Sequence, residues 1–243
     1  MNEIQQFKQE VAQNIESLGK DKKNKEKSIE WLCQVSQYNY AYNFTWMGRP
    51  IIQAPQDLVA LQEIIYEVQP DLIIETGIAH GGSLIFYASM LELIGKGEVL
   101  GLDIDIRNHN YEEIINHPMY KRITMIEGSS IDEKIAEKVK TFAKGKKKIL
   151  VSLDSNHTHS HVLKELQLYA DLVSVGSYCV VFDTLIEDIP KEFYDDREWE
   201  PNNNPKTAVW EFLKGNKNFK IDKSIDYKIQ ISAAPDGYLK RIH

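Results

Sequence analysis

Leu72-Ile-Ile-Glu75-Thr-Gly77-Ile-Ala-His80-Gly81-Gly-Ser83 is the stretch on which the fold turns. Residues 72–75 are a short apolar run ending in a carboxylate, the pattern of a buried strand. The glycines that follow let the backbone turn sharply and approach a ligand closely. Residues 82–94 then carry apolar positions at helical spacing, and Gly95 closes them. Strand, glycine turn and helix make one unit.

The unit recurs downstream. Strands are predicted at 99–103, 123–127, 149–154 and 178–183, alternating with helices at 109–116, 131–143 and 157–173. A helix at 56–68, ended by Pro70, leads into the first strand. Such alternation implies βαβ units, a parallel sheet and right-handed crossovers with helices on both faces. The end differs. A helix is predicted at 205–214, with Asn204 as N-cap and Pro205 at its first position. Strands are predicted at 219–221, 227–232 and 238–242, and strands in succession imply an antiparallel edge. The polar stretch 190–204 reads as a surface loop and a candidate lid. Ahead of all this lie helices at 3–18 and 28–37 and the aromatic run Tyr38-Asn-Tyr-Ala-Tyr-Asn-Phe-Thr-Trp46. That run packs over a pocket or a neighbouring subunit, or simply anchors the arm. The expected fold is α/β: a Rossmann-like, doubly wound, mostly parallel sheet with an antiparallel C-terminal edge and N-terminal helices. The expected division is a helical arm and aromatic segment at 1–55 and a cofactor-binding domain at 56–243.

The chain has 243 residues, enough for a sizeable core, and a formal charge of −7. An acidic balance argues against nucleic acid as partner, because a basic face is needed to displace phosphate counterions. The lysine-rich stretch 20–27 is the exception and reads as a solvated turn between helices. The two cysteines, Cys33 and Cys179, show no zinc or redox spacing. The N-terminal residues lack the apolar core of a signal peptide, and no apolar run has transmembrane length. A cytoplasmic protein with reduced thiols is expected.

In an open parallel sheet, ligands bind beyond the carboxyl ends of the strands. The turn after the first strand is not the GxGxxG dinucleotide fingerprint. A carboxylate directly before it, Glu75, would repel a pyrophosphate but favour the ammonium and sulfonium of S-adenosylmethionine (SAM). Gly77, Gly81 and Ser83 belong to the same turn. The second strand delivers Asp103, which can accept both ribose hydroxyls, with Asp105 as competitor. The third delivers Ser129 and Ser130, suited to an adenine edge or to capping the next helix.

The fourth strand delivers Asp154-Ser-Asn-His157, the fifth Phe182-Asp183-Thr184. Two carboxylates converging there, Asp154 and Asp183, make a hard-cation site suited to Mg²⁺. A bound hydroxyl would be acidified and oriented for attack on a methyl group. His157 is placed to take its proton. Asp154 is otherwise a helix cap. His157 and His161, four apart, would share a helix face and could hold zinc, but no third soft ligand is evident. His159 reads as structural. His80 faces either the cofactor carboxylate or solvent.

Together these residues resemble the cephalosporin hydroxylase / rhamnosyl O-methyltransferase family. The resemblance is carried by Phe44-Thr-Trp-Met-Gly-Arg-Pro-Ile-Ile-Gln-Ala-Pro55, Glu75-Thr-Gly-Ile-Ala-His-Gly-Gly-Ser83, Leu153-Asp-Ser-Asn-His157, Val181-Phe-Asp-Thr184 and Ala234-Pro-Asp-Gly-Tyr-Leu-Lys-Arg241. It implies a SAM-binding fold, often homo-oligomeric, with an Mg²⁺ site at Asp154 and Asp183. It implies methyl transfer to an oxygen of a small-molecule or glycan acceptor, a sugar hydroxyl above all. The family's antibiotic-pathway members carry Glu-Asp where this chain has Phe182-Asp183. The metal site must therefore be weaker, absent or completed otherwise, with Thr184 or Glu187 as candidates. Two other functions compete: an NAD-dependent oxidoreductase on a related sheet, and a non-catalytic partner in glycan synthesis.

Overall fold

A computed structural model describes residues 2–193 and 196–243 of the chain. Two helices lead, α1 (Glu3–Lys20) and α2 (Lys22–Ser36), followed by a 3₁₀ turn at Tyr40–Asn43 and a small hairpin, β1 (Thr45–Trp46) and β2 (Arg49–Pro50). Then come α3 (Pro55–Val68), β3 (Leu72–Thr76), α4 (Gly82–Ile94), β4 (Glu98–Asp103), α5 (Asn108–Ile115), β5 (Ile123–Glu127), α6 (Glu133–Ala143), β6 (Ile149–Leu153), α7 (His159–Tyr169) and β7 (Tyr178–Val181). The chain closes with α8 (Pro205–Gly215), β8 (Phe219–Ile221), α9 (Lys223–Ile229) and β9 (Tyr238–Arg241).

The seven-stranded sheet has the order β5-β4-β3-β6-β7-β9-β8. Strands β3 to β7 run parallel, and β9 and β8 add the expected antiparallel edge. The strand order reverses between β3 and β6, so the crevice opens beside the glycine turn. Every residue of β3 is buried, as a central strand covered on both faces must be. Alternation sorts its side chains. Ile73 joins Val99, Leu150 and Val180 under α3 and α4. Leu72 and Ile74 join Leu100, Val151 and Val181 under α6 to α8.

The structure corrects the C-terminal reading. Residues 227–232 are not a strand, because 223–229 form α9, capped by Asp222 through its bond to the Ser224 amide. Ile225 reaches the core, and the ring of Tyr227 lies so close to Gly19 of α1 that no Cβ fits there. Packing against the N-terminal arm overrides the strand propensity of Tyr-Lys-Ile-Gln-Ile. In the stretch 190–204, residues 191–193 form a 3₁₀ turn and Asn204 caps α8 as expected. Residues 194 and 195 of that candidate lid lie outside the described residues. Among the described residues no helix is long and apolar enough to cross a membrane.

One buried carboxylate ties the C-terminal edge to α3. Asp57 accepts from Ser232 Oγ (2.6 Å), the Ala233 amide (2.8 Å) and Tyr238 OH (2.6 Å). Burial pushes its pKa up to about 6, against the pull of these three donors. Asp57→Ala leaves buried donors unpaired, each worth about 1–3 kcal/mol. Urea unfolding of that variant is expected to show a loss of about 3 kcal/mol or more, only part of it recovered in Asp57→Asn, whose NH₂ end cannot accept from the Ala233 amide.

Candidate active site

The carboxyl ends of β3, β4, β6 and β7 open on a cavity of about 530 Å³. The turn after β3 forms one wall. Gly77 has φ +90° and its amide donates to the Leu102 carbonyl (2.7 Å). A Cβ at Gly77 would strike the Asp154 carbonyl. Gly81, at φ +81°, starts α4. Asp103 leaves the end of β4 and accepts from the Ile78 and Ala79 amides through Oδ2 (2.7 and 3.2 Å). It both lines the cavity and holds the turn. Asp105 instead faces Arg107 at 3.8 Å on the exposed surface.

Glu75 sits differently from the expectation. It is buried, does not line the cavity, and accepts from Ser83 Oγ at 2.7 Å. Burial, and after it the Asp103 charge, push its pKa up to about 8 despite the Ser83 bond. A carboxyl with that pKa is mostly protonated at neutral pH. Its first role is therefore to hold Ser83 at the head of α4, and a neutral Glu75 would not repel a pyrophosphate.

Gly77, Ser83, Asp103, Asp154, His157 and Asp183 all line the one cavity, whereas Gly81, Ser129 and Ser130 do not. Ser130 is buried and meets His161 Nε2 at 3.0 Å. Neither serine caps the next helix; Asp132 does, through the Lys134 and Ile135 amides.

The chemical groups converge as predicted. Single donor atoms of Asp154, His157 and Asp183 lie within 4.8 Å of one another, and His157 Nε2 is 3.2 Å from Asp183 Oδ2. Burial first, and the neighbouring Asp183 second, hold the Asp154 carboxyl well above the usual range. Two crowded carboxylates and an imidazole suit a divalent cation, which would relieve their repulsion. Asp183 has φ +55°, a left-handed backbone unusual for a side-chain-bearing residue, and strain of this kind gathers at functional sites.

Other readings change. His157 precedes α7, whose N-cap is Thr158, so it shares no helix face with His161 and the zinc pairing falls. His159 is structural as expected, bonded to Thr207 Oγ1 (2.8 Å) and facing Glu211 (3.1 Å). Neither substitute for the missing carboxylate is free. Thr184 Oγ1 donates to the Pro235 carbonyl (2.7 Å), and Glu187 accepts from the Asn202 amide (2.8 Å).

Three contributors escaped sequence reasoning. Arg49 donates to the His80 carbonyl (2.6 Å) and Asn110 Oδ1 (3.1 Å), steadying the glycine turn from outside. Gln53 donates through Nε2 to Asp154 Oδ2 (3.1 Å). Trp199 packs edge-on against the His157 ring, with centroids 4.7 Å apart. Arg49 and Gln53 lie within Phe44–Pro55 of the resemblance, but isolated loop residues have no periodicity to betray them.

The sheet order, the glycine turn and the acidic strand ends make a Rossmann-like cofactor cleft, and the family match that follows makes it that of a SAM-dependent O-methyltransferase. The family model described as rhamnosyl O-methyltransferase/CmcI matches residues 38–242. The chain belongs to that family. The rhamnosyl O-methyltransferase of Mycobacterium bovis (strain BCG / Pasteur 1173P2) is 31% identical over 214 residues, covering 81% of this chain and 78% of its own. That of Mycobacterium leprae is 33% identical over 154 residues, covering 63% and 66%. Among solved structures, apo CmcI superposes with a TM-score of 0.59 at 19% identity over 83% of this chain and 77% of its own. CmcI with Mg and SAM gives 0.56 at 19% over 83% and 78%. These two likenesses support the fold. The family places the chain outside the NAD-dependent oxidoreductases raised above.

The raised Glu75 pKa fixes a pH dependence. The folded state holds this proton up to about pH 8, whereas an ordinary carboxyl loses it near 4.5. The native state thus binds more protons in that window, and stability falls as pH rises through it. Glu75→Gln keeps an acceptor for Ser83 and has no proton to lose. Thermal melts are expected to show the variant gaining on the wild type from pH 5 to pH 8, by roughly 3 kcal/mol.

Proposed function

We propose that this enzyme carries the methyl group of SAM to a sugar hydroxyl, on a glycan or a secondary metabolite, with the help of Mg²⁺. The observation that carries the reading is the convergence of Asp154, His157 and Asp183 in the cavity walled by the glycine turn. Relatives named rhamnosyl O-methyltransferase support the sugar. A CmcI structure described with Mg and SAM supports the cation.

In this reading Gly77, Gly81 and Ser83, backed by Glu75, shape the turn that receives the methionine part of SAM. Asp103 receives the ribose hydroxyls. Asp154 and Asp183 would hold Mg²⁺, which would supply Lewis acidity beside the acceptor hydroxyl. The acceptor oxygen attacks the methyl carbon, the carbon–sulfur bond breaks with its electron pair going to sulfur, and S-adenosylhomocysteine (SAH) leaves. The hydroxyl proton passes to His157 Nε2. Asp183 Oδ2 stands 3.2 Å from that nitrogen, and the edge of Trp199 restrains the ring. Tyr40, Tyr42 and Ile189 line the same cavity and supply apolar surface for the acceptor. Homo-oligomers fit the apolar stripe Ile4, Phe7, Val11 and Leu18, which lies exposed on α1.

Calorimetry is expected to give micromolar SAM and SAH binding, about −8 kcal/mol. Asp103→Ala should weaken it at least tenfold, and unchanged affinity would remove the ribose assignment. With rhamnosyl acceptors, His157→Ala is expected to lose about 10²–10⁴ in kcat while keeping its SAM affinity. A non-catalytic partner would show no wild-type turnover to lose.

A further inference from the structure

Where the resemblance implies a third carboxylate in the antibiotic-pathway members, this chain has Phe182, whose side chain is buried among core residues. Thr184 and Glu187 are engaged elsewhere. Among the described residues, Gln53 is the one side chain of the cavity wall with a buried polar atom that lacks a partner. Gln53 is 5% exposed, its Nε2 lies 3.1 Å from Asp154 Oδ2, and its Oε1 is buried with no partner. A buried amide oxygen without a donor is costly, and such a group calls for an explanation.

We propose that Gln53 is the third protein ligand of the divalent-cation site, its amide oxygen standing in for the carboxylate lost at Phe182. The inference rests on the cation reading above. The ends of a Gln amide exchange places by a half-turn of the terminal torsion. Without a cation, the NH₂ end faces Asp154 and quiets its charge. With a cation, the carbonyl end turns to that position and the NH₂ end takes the other. Ligand oxygens about 2.1 Å from Mg²⁺ in octahedral geometry lie about 3.0 Å from their neighbours. The Gln53–Asp154 separation of 3.1 Å already matches that edge. Amide carbonyls are ordinary ligands of hard cations, and a neutral one in place of a carboxylate makes a weaker site. The set Asp154, Asp183 and Gln53 is all oxygen, which leaves the His157 imidazole free to take a proton.

The test needs no acceptor. Mg²⁺ and Mn²⁺ are titrated into the full chain by calorimetry, with Mn²⁺ also followed by electron paramagnetic resonance, for wild type, Asp154→Asn, Gln53→Leu and Gln53→Glu. SAH affinity in chelator reports whether each variant is folded. Expected are cation binding in the wild type, its loss in Asp154→Asn, a loss of tenfold or more in Gln53→Leu and a gain of tenfold or more in Gln53→Glu. Cation affinity unchanged in Gln53→Leu overturns the assignment and leaves the two-aspartate reading standing. No cation binding in the wild type, or binding indifferent to Asp154→Asn, overturns the cation reading and this inference with it. If Gln53→Leu loses SAH affinity in chelator, Gln53→Glu alone decides: tighter binding upholds the assignment, and equal or weaker binding overturns it.

Discussion

The site depends on one close approach of backbone to backbone. Gly77 passes so near the Asp154 carbonyl that no side chain fits between them, and the Asp154 amide donates to Thr76 O at 2.9 Å. This contact locks the turn after β3 to the end of β6. Methyl transfer needs donor and acceptor held within near-attack range, and much of its advantage comes from that placement. A second approach acts on the other flank, where a Cβ at Gly82 would strike the Pro50 carbonyl. The start of α4 is thus pinned between the sheet and the N-terminal hairpin.

Beneath this clasp the floor of the site is rich in acid. Glu75 and Asp57 are fully enclosed, Asp154 is crowded by burial and by Asp183, and all three carboxyls have raised pKa values. The response differs with the partners at hand. Asp57 has three donors and fastens the C-terminal edge. Glu75 has Ser83 and steadies a turn. Among the described residues, only the Gln53 amide donates to the Asp154 side chain, and Asp154 is the one of the three that lines the cavity. A carboxylate left short of donors beside a second carboxylate is poised for an external positive charge.

The strand ends supply the acidic side of the cavity, and the segment before α3 supplies much of the rest of its wall. Arg49 and Asn110 grip the outward carbonyls of the glycine turn, at His80 and Ala79. Gln53 reaches Asp154 across a separation of 101 residues. The 3₁₀ turn carrying Tyr40 and Tyr42 borders the same cavity as the carboxylates.

The sequence by itself determined the alternation of strands and helices, the antiparallel edge at β9 and β8, and the delivery of Asp103, Asp154 and Asp183 to strand ends. These follow from local signals: apolar runs, glycine and proline punctuation, and the rule that ligands meet parallel strands at their carboxyl ends. Tertiary structure alone decided that 223–229 is a helix, since contact with α1 and the core outweighed local propensity. It also decided that Glu75 lies buried and mostly protonated, that Asp132 caps α6 in place of Ser129 or Ser130, and that Gln53 stands against Asp154. Periodicity records which face of an element is buried, but not which distant loop lies across it. Burial and long-range contact set a group's charge and partners, and neither is written in the residues beside it.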